Sequence, residues 1–192
     1  MGDINRQLFQ AINGWPESFS PVMRFFSEAT TFLWVKLVLA ALVIALIVAG
    51  PRTRRAAVQA LLGFLLANGL TDVFKHLLPT HRPFQEMPAS DVFLRAGWSD
   101  SAGTASAHSA NMAVVAFVFV YHLRWWGSPW VLIALITGLS RVYVGVHYPY
   151  QVALGWTCGI LAGLIVTKGW ELIQRKSGSV LTEETVHEVE PA

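Results

Sequence analysis

A run of twenty residues, 31–50, carries a single charged side chain, Lys36, near its start. At the rise of an α-helix, twenty residues cover about 30 Å, the thickness of the hydrocarbon layer of a bilayer. Inside that layer every backbone polar group needs an internal partner, which restricts the chain to helices or closed barrels. The run therefore predicts a transmembrane helix.

Four more apolar segments predict further spans, at residues 56–78, 106–126, 129–147 and 149–170. Of the 192 residues, 54% are hydrophobic and 14% are charged, against about 25% charged in ordinary soluble domains. The sequence thus predicts an all-α integral membrane protein, a bundle of about five transmembrane helices.

The two ends of the chain differ from this body. Residues 4–14 place Ile4, Leu8 and Ile12, with Phe9 beside them, on one side of a helix, which fits either a helix in the membrane interface or a helix packed against the bundle. We expect N-terminal interfacial helices over residues 1–30, the membrane bundle over 31–173, and a polar, disordered cytoplasmic tail over 174–192.

The distribution of charge predicts an orientation. The net charge of +2 is too small to indicate a nucleic-acid partner. One side of the predicted bundle receives most basic residues near the spans: Arg52, Arg54, Arg55, Arg124, Lys168, Arg175 and Lys176. The positive-inside rule makes this side cytoplasmic, with the C-terminus inside and the polar loop 79–105 outside.

Three polar clusters fall at the outer ends of the predicted spans. In the first, Lys75 and Arg82 are separated by Pro79, and Pro83 follows, so a helix break would let Arg82 fold back toward Lys75. Two neighbouring cations indicate a bound phosphate, or side chains that reach toward lipid headgroups. We expect Asp72 to form an ion pair with Lys75.

The second cluster opens the third span with Ser106, Ala107 and His108. Ser106 fits a helix N-cap, and the free amides of the first turn form an anion site. The third cluster contains Arg141 and, six residues later, His147, with Gln151 one helical turn beyond. The Gln151 oxygen could accept a hydrogen bond from His147 Nδ1–H, leaving Nε2 nucleophilic.

These groups suit phosphoryl transfer. One imidazole would attack phosphorus, a second would protonate the leaving oxygen, and the cations would stabilise the equatorial oxygens. The clusters contain no carboxylate-rich metal cage, so the reaction would need no metal.

The patterns K-x6-R-P, S-x-H and S-R-x5-H, in this order over about residues 60–165, resemble the type-2 phosphatidic acid phosphatase family, which is related to vanadium haloperoxidases. The resemblance implies that His147 is the nucleophile that forms a phosphohistidine, that His108 is the general acid, and that no metal cofactor is used. It implies a phosphate site made of Lys75, Arg82, Arg141, Ser106 and the Ala107 amide.

Two positions depart from the family pattern. Ala107 stands where the family usually has glycine, and Gln151 stands where it usually has aspartate. Glutamine can orient His147 but cannot offset the positive charge that grows on it. Branches that resemble glucose-6-phosphatase also use glutamine, so the change does not imply an inactive enzyme.

The sequence therefore predicts a phosphatase of the bacterial inner membrane whose site faces the periplasm. Its substrate would be a lipid phosphate or diphosphate, such as undecaprenyl diphosphate or phosphatidylglycerol phosphate, and the opening residues resemble the undecaprenyl diphosphate phosphatase type. Two alternatives stay open. One is a phosphatase for small soluble phosphate esters, which Gln151 favours. The other is a non-catalytic lipid-phosphate binder or transport component, which would need neither His108 nor His147.

Overall fold

The computed structural model describes the backbone of residues 3–187 and the side chains of residues 4–175. Within this part of the chain the regular structure is helical, without strands. The α-helices in chain order are α1 (Asp3–Asn13), α2 (Ser20–Glu28), α3 (Leu33–Ala49), α4 (Pro51–Leu77), α5 (Pro83–Glu86), α6 (Ala107–Leu123), α7 (Ser128–Tyr143) and α8 (Pro149–His187).

Helices α3, α4, α6, α7 and α8 lie at the five predicted span positions, but five membrane crossings are not confirmed. Two helices have the length and composition to cross a bilayer, α4 and the Pro149–Arg175 part of α8. A third crossing is counted if the segments Glu17–Thr31 and Leu33–Ala49, bent by 69°, form one span.

Helices α6 and α7 are shorter than predicted because the backbone leaves the helical conformation early. They contain 17 and 16 residues, about 25 Å each at helical rise, against about 30 Å of hydrocarbon. Helix α6 ends before Arg124, which adopts a φ of 57°, and the chain continues as a 3₁₀ turn. Helix α7 ends just before Gly145, whose φ is 86°.

Helix α6 forms the centre of the bundle and packs against α4, α7 and α8. Glycines allow α8 to approach it closely: a Cβ at Gly155 would overlap the Ser106 carbonyl, and a Cβ at Gly159 would overlap the Ala110 carbonyl. Small residues at helix contacts are typical of membrane bundles, where backbone proximity replaces the hydrophobic effect. This contact holds the beginnings of α6 and α8 side by side.

The N-terminal helices pack against the same end of the bundle. Phe9 of α1 is fully buried, with its ring 5.4 Å from that of Tyr148, whereas Ile4 and Leu8 are exposed. Ile12 is partly buried against the cluster that contains Phe9 and Tyr148, so part of the predicted apolar side of α1 packs on the bundle, as in the second of the two predicted alternatives, while Ile4 and Leu8 lie outward. Helix α2 packs along α7.

The loop of residues 79–105 is hydrogen-bonded to α1 through Asn13. The Asn13 amide donates to the carbonyls of Phe93 (2.9 Å) and Tyr143 (2.8 Å) and accepts from the Phe93 amide (2.8 Å). Arg95 adds a bond to the Asn13 carbonyl (2.8 Å) and an ion pair with Glu17 (3.0 Å). The loop is therefore held over the end of the bundle by long-range polar contacts.

The C-terminal end of α8 extends past the predicted start of a disordered tail. The helical backbone continues through residue 174 to His187, and residues 188–192 lie outside the described part. This extension continues a helix that is already formed, so it needs no new nucleation of helical structure. The first proline after Pro149 is at residue 191, so no proline interrupts the helix up to His187.

Candidate active site

The three sequence clusters meet at one end of the bundle. The end of α4, the beginning of α6, the end of α7 and the beginning of α8 lie there, with loop 79–105 over them. Direct contacts join the clusters: Arg82 reaches His147, and the Ser106 amide donates to the Gln151 carbonyl at 3.0 Å. These contacts bring Arg82, Ser106, His147 and Gln151 together at this end of the bundle.

Arg82 stands at the break between α4 and α5. The predicted break is confirmed, since α4 ends at Leu77 and Arg82 has the extended backbone (φ −86°, ψ 159°) that a following proline imposes. Its guanidinium donates to the carbonyl and hydroxyl of Ser101, both at 2.8 Å, and to the Val146 carbonyl at 3.2 Å. Neutral groups therefore hold this nearly buried cation, and its positive charge remains available to an anion.

The contact between Arg82 and His147 defines the protonation of the imidazole. Arg82 Nη1 lies 3.3 Å from His147 Nε2, and because a guanidinium only donates, Nε2 accepts. On the other side of the ring, Nδ1 lies 3.2 Å from the Gly103 carbonyl and 3.1 Å from Gln151 Oε1. His147 thus carries its proton on Nδ1 and presents a lone pair on Nε2.

The orientation of the Gln151 amide is fixed by backbone groups. Its Oε1 accepts from the Tyr148 amide (3.0 Å), and its Nε2 donates to the His81 carbonyl (2.9 Å). A backbone N–H cannot accept and a carbonyl cannot donate, so the amide has one consistent orientation. The predicted hydrogen bond from His147 Nδ1–H to Gln151 is therefore confirmed.

The environment of His147 favours its neutral form. Burial lowers the pKa of His147 well below its usual value, and the positive charges of Arg141 and Arg82 lower it further. The hydrogen bond to Gln151 acts in the opposite direction and raises this pKa. At neutral pH Nε2 therefore stays unprotonated and accepts the hydrogen bond from Arg82.

The beginning of α6 supplies a helix terminus. Ser106 is the predicted N-cap: its Oγ accepts from the Ser109 amide at 3.3 Å and from the Ser109 hydroxyl at 2.9 Å. The amides of Ala107 and His108 have no intrahelical acceptor, because they belong to the first turn. His108, half-buried, lies close enough to His147 for its charge to lower the pKa of His147. This end of α6 has the features of an anion site.

Two more cations of the sequence clusters form their hydrogen bonds with other groups. Lys75 forms the predicted ion pair with Asp72, at 3.1 Å, and its recorded hydrogen bond within the described residues goes to Asp72 and not to Arg82. Arg141, in the last turn of α7, donates through Nη1 to the carbonyl (3.0 Å) and hydroxyl (2.5 Å) of Ser27 in α2.

Several residues at the site were not predicted from the sequence. Ser101 holds Arg82, Gly103 contacts His147, and Ser27 holds Arg141. The Gly103 position is tight, since a Cβ there would lie 2.7 Å from Gln151 Nε2 and 2.9 Å from Arg82 Cγ. Small polar residues and glycines have no periodic signal, so spacing alone could not identify them.

The described side chains bring no three His, Cys, Asp or Glu residues together as a metal site. The donors that converge are amides, hydroxyls, imidazoles and guanidinium groups, which suit an anion.

Comparison with known proteins gives a consistent assignment. The family model of the PAP2 superfamily matches residues 56–175. The bacitracin transport permease protein BcrC of Bacillus licheniformis is 26% identical over 168 residues, covering 85% of this chain and 79% of that protein. An undecaprenyl-diphosphatase of Sulfolobus acidocaldarius is 27% identical over 159 residues, covering 81% and 73%. The crystal structure of Aquifex aeolicus LpxE shares the fold, with a TM-score of 0.71, 24% identity, and coverage of 87% of this chain and 96% of that one.

Proposed function

Because the chain belongs to the PAP2 superfamily, we propose that it is a membrane phosphatase that hydrolyses a lipid phosphate or diphosphate through a phosphohistidine. One observation carries the proposal: His147 Nε2 accepts a hydrogen bond from Arg82 Nη1 at 3.3 Å while its Nδ1–H is held on the opposite side. A nucleophilic lone pair thus lies next to a cation that can bind the phosphoryl oxygens.

In the first step the phosphoryl group binds beside Arg82, Arg141 and the amides that open α6. His147 Nε2 attacks phosphorus in line with the leaving oxygen, forming the N–P bond as the P–O bond breaks. His108 gives its proton to that oxygen, which leaves as a lipid phosphate or a lipid alcohol. Lys75 adds positive charge from the end of α4.

In the second step His108, now neutral, takes a proton from water, and the resulting hydroxide attacks phosphorus. The N–P bond breaks, inorganic phosphate leaves, and the electron pair returns to His147 Nε2. His108 regains the proton it lost, so the cycle needs no metal and no other co-reactant.

Gln151 orients His147 throughout this cycle. Positive charge grows on the imidazole when the N–P bond forms, and the Nδ1–H then points at two oxygens, those of Gly103 and Gln151. These neutral dipoles favour the charged ring without cancelling its charge. The structure of the amide network thus supports a working site with glutamine in place of the usual aspartate.

The substrate we propose is a polyprenyl diphosphate such as undecaprenyl diphosphate. The names of curated relatives, among them the undecaprenyl-diphosphatase of Sulfolobus acidocaldarius, support this choice. The location of the site at the end of an apolar bundle also suits a headgroup whose chain stays in the bilayer.

We further propose five membrane crossings in the bacterial inner membrane, with the site facing the periplasm and the C-terminus in the cytoplasm. The basic residues Arg52, Arg54 and Arg55 begin α4, at the opposite end of that helix from Lys75. The positive-inside rule places that end in the cytoplasm.

The test is phosphate release by the purified protein from undecaprenyl diphosphate, phosphatidylglycerol phosphate and glucose 6-phosphate, with and without a chelator. We expect the highest kcat/KM on the polyprenyl diphosphate and no effect of the chelator. Preference for the sugar phosphate would favour the phosphatase for soluble esters, and loss of activity with chelator would contradict the metal-free mechanism. Binding of the lipids without turnover would favour a transport component.

A further inference from the structure

The guanidinium of Arg141 is held by a helix that the family match does not include. Ser27 of α2, 1% exposed, receives two hydrogen bonds from Arg141 Nη1, at its carbonyl (3.0 Å) and its hydroxyl (2.5 Å). The matched segment is 56–175, so α2 (Ser20–Glu28) lies outside it. A contact across 114 positions of sequence therefore completes the surroundings of a motif residue.

The bond to Ser27 determines which edge of Arg141 stays open. A guanidinium has two edges that each present two parallel N–H donors. One edge is formed by Nε and Nη2, and the other by Nη1 and Nη2. Nη1 is occupied by Ser27, whereas Nε is buried without a hydrogen-bond partner among the described residues. A buried charged donor without an acceptor is unfavourable, and such donors normally mark a ligand or water position.

We infer that Ser27 is a positioning residue of the phosphate site, which fixes Arg141 so that its Nε–Nη2 edge faces the phosphoryl group. The inference rests on the proposed function. Two parallel N–H groups on one edge match two oxygens of a phosphate. The side chain of a free arginine samples many rotamers, and the Ser27 hydroxyl reduces this freedom before the substrate arrives.

The hydroxyl has a separate role from the carbonyl. The carbonyl alone fixes the position of Nη1 but leaves the guanidinium plane free to rotate about that single contact. The Ser27 hydroxyl is a second acceptor for Nη1, and it restricts the rotation of the guanidinium plane. It therefore determines the direction in which the Nε–Nη2 edge points. Removal of the hydroxyl should therefore weaken phosphate binding while α2 stays packed on α7.

The experiment compares Ser27→Ala with Ser20→Ala, a buried serine of the same helix that makes no recorded bond to Arg141 in the described structure. With a polyprenyl diphosphate substrate, Ser27→Ala should lower kcat/KM about ten-fold. Inorganic phosphate should inhibit it more weakly, and its thermal unfolding temperature should match the parent protein. Ser20→Ala should keep the parent kinetics.

A double-mutant cycle separates positioning from a structural role. In the background Arg141→Gln, which has lost the guanidinium, the further change Ser27→Ala should lower the residual rate less than about two-fold. The same ten-fold loss in both backgrounds would overturn the inference, because Ser27 would then act independently of Arg141.

A second readout does not depend on turnover. Inorganic phosphate should raise the unfolding temperature of the parent protein and of Ser20→Ala more than that of Ser27→Ala. An equal rise in all three proteins would contradict the role of Ser27. If the parent protein hydrolyses none of the substrates, the proposed function fails while this comparison still tests the phosphate site.

Discussion

Arg82 Nη1 donates to His147 Nε2 across 3.3 Å, so the site pairs the proposed nucleophile with the cation proposed to bind phosphate. Both side chains are nearly buried, with 6% and 3% of their surface exposed. For attack on phosphorus, Arg82 must transfer this hydrogen bond from the imidazole to a phosphoryl oxygen. In the proposed mechanism, substrate binding thus frees the lone pair of Nε2 for attack, whereas without substrate Arg82 keeps it hydrogen-bonded.

The contact between Arg82 and His147 requires a residue without a side chain at position 103, and Gly103→Ala should disrupt it. The new methyl group would lie 2.7 Å from Gln151 Nε2 and 2.9 Å from Arg82 Cγ, so one of the two side chains has to move. A displacement of about 1 Å in a catalytic group costs about 100-fold in rate, and we expect a loss of that order in kcat/KM.

Gly97→Ala is the matched control for this substitution. Gly97 lies in the same loop, and a Cβ there meets no atom within 4 Å. It should retain the parent activity. Equal rates for the parent protein and Gly103→Ala would show that Gln151 and Arg82 do not need their observed positions.

Gln151→Leu tests the orientation of His147 through the pH profile. A base whose pKa is lowered by burial stays unprotonated until the pH falls through that pKa, so the acid limb of kcat/KM should lie below pH 6.5, the ordinary value for histidine. Gln151 raises the pKa of His147, and its loss should shift the acid limb to still lower pH.

The same variant should lower kcat about 100-fold, since the imidazole loses the acceptor that fixes its tautomer. The control is Gln10→Leu, at an exposed position of α1. A shift of the acid limb to higher pH in Gln151→Leu would contradict the assigned direction of the hydrogen bond.

The sequence predicted those parts of the molecule that depend on local chemistry. Apolar runs located the long helices, Pro79 and Pro83 indicated the break beside Arg82, and Ser106 was identified as an N-cap because its hydroxyl satisfies an orphan amide. The hydrogen bond from His147 to Gln151 was predicted from their separation of four residues.

The remaining features depend on contacts between distant segments. Nothing local to Ser27 indicates that it meets Arg141, because a buried serine on a short helix fits many packings. Apolar runs alone could not establish five crossings. Helices α6 and α7 end at the positive φ angles near Arg124 and Gly145, and a hydropathy pattern does not reveal such backbone conformations. The sequence of α1 fitted both a helix in the membrane interface and a helix packed on the bundle, and the contact that distinguishes them, between Phe9 and Tyr148, joins distant segments.

Asn13 supplies a test of stability away from the chemistry. Asn13→Ala removes three hydrogen bonds to the backbone of Phe93 and Tyr143. The groups left behind are partly buried, and we expect a loss of about 2–3 kcal/mol in the free energy of unfolding.

Denaturant unfolding in detergent measures this loss, and Gln10→Ala, an exposed position on the same helix, should change little. Proteolysis of loop 79–105 should become faster in Asn13→Ala. Unchanged stability and unchanged cleavage would show that the loop is held by other contacts.

Cysteine labelling tests the proposed orientation. With the buried Cys158 replaced by alanine, single cysteines are introduced at Trp98 and Trp126, which are 64% and 88% exposed and lie beyond opposite ends of α6. A membrane-impermeant reagent added to intact cells should label position 98 alone. Labelling of position 126 alone would reverse the topology.

In the proposed mechanism His147 forms a covalent bond to phosphorus. A polyprenyl diphosphate labelled with ³²P at the terminal phosphate is mixed with the purified protein and quenched in alkali within milliseconds. We expect protein-bound label that is stable in alkali and lost in acid, as for a phosphoramidate, and no label on His147→Asn. Substantial turnover by His147→Asn, or equal labelling of both proteins, would contradict it.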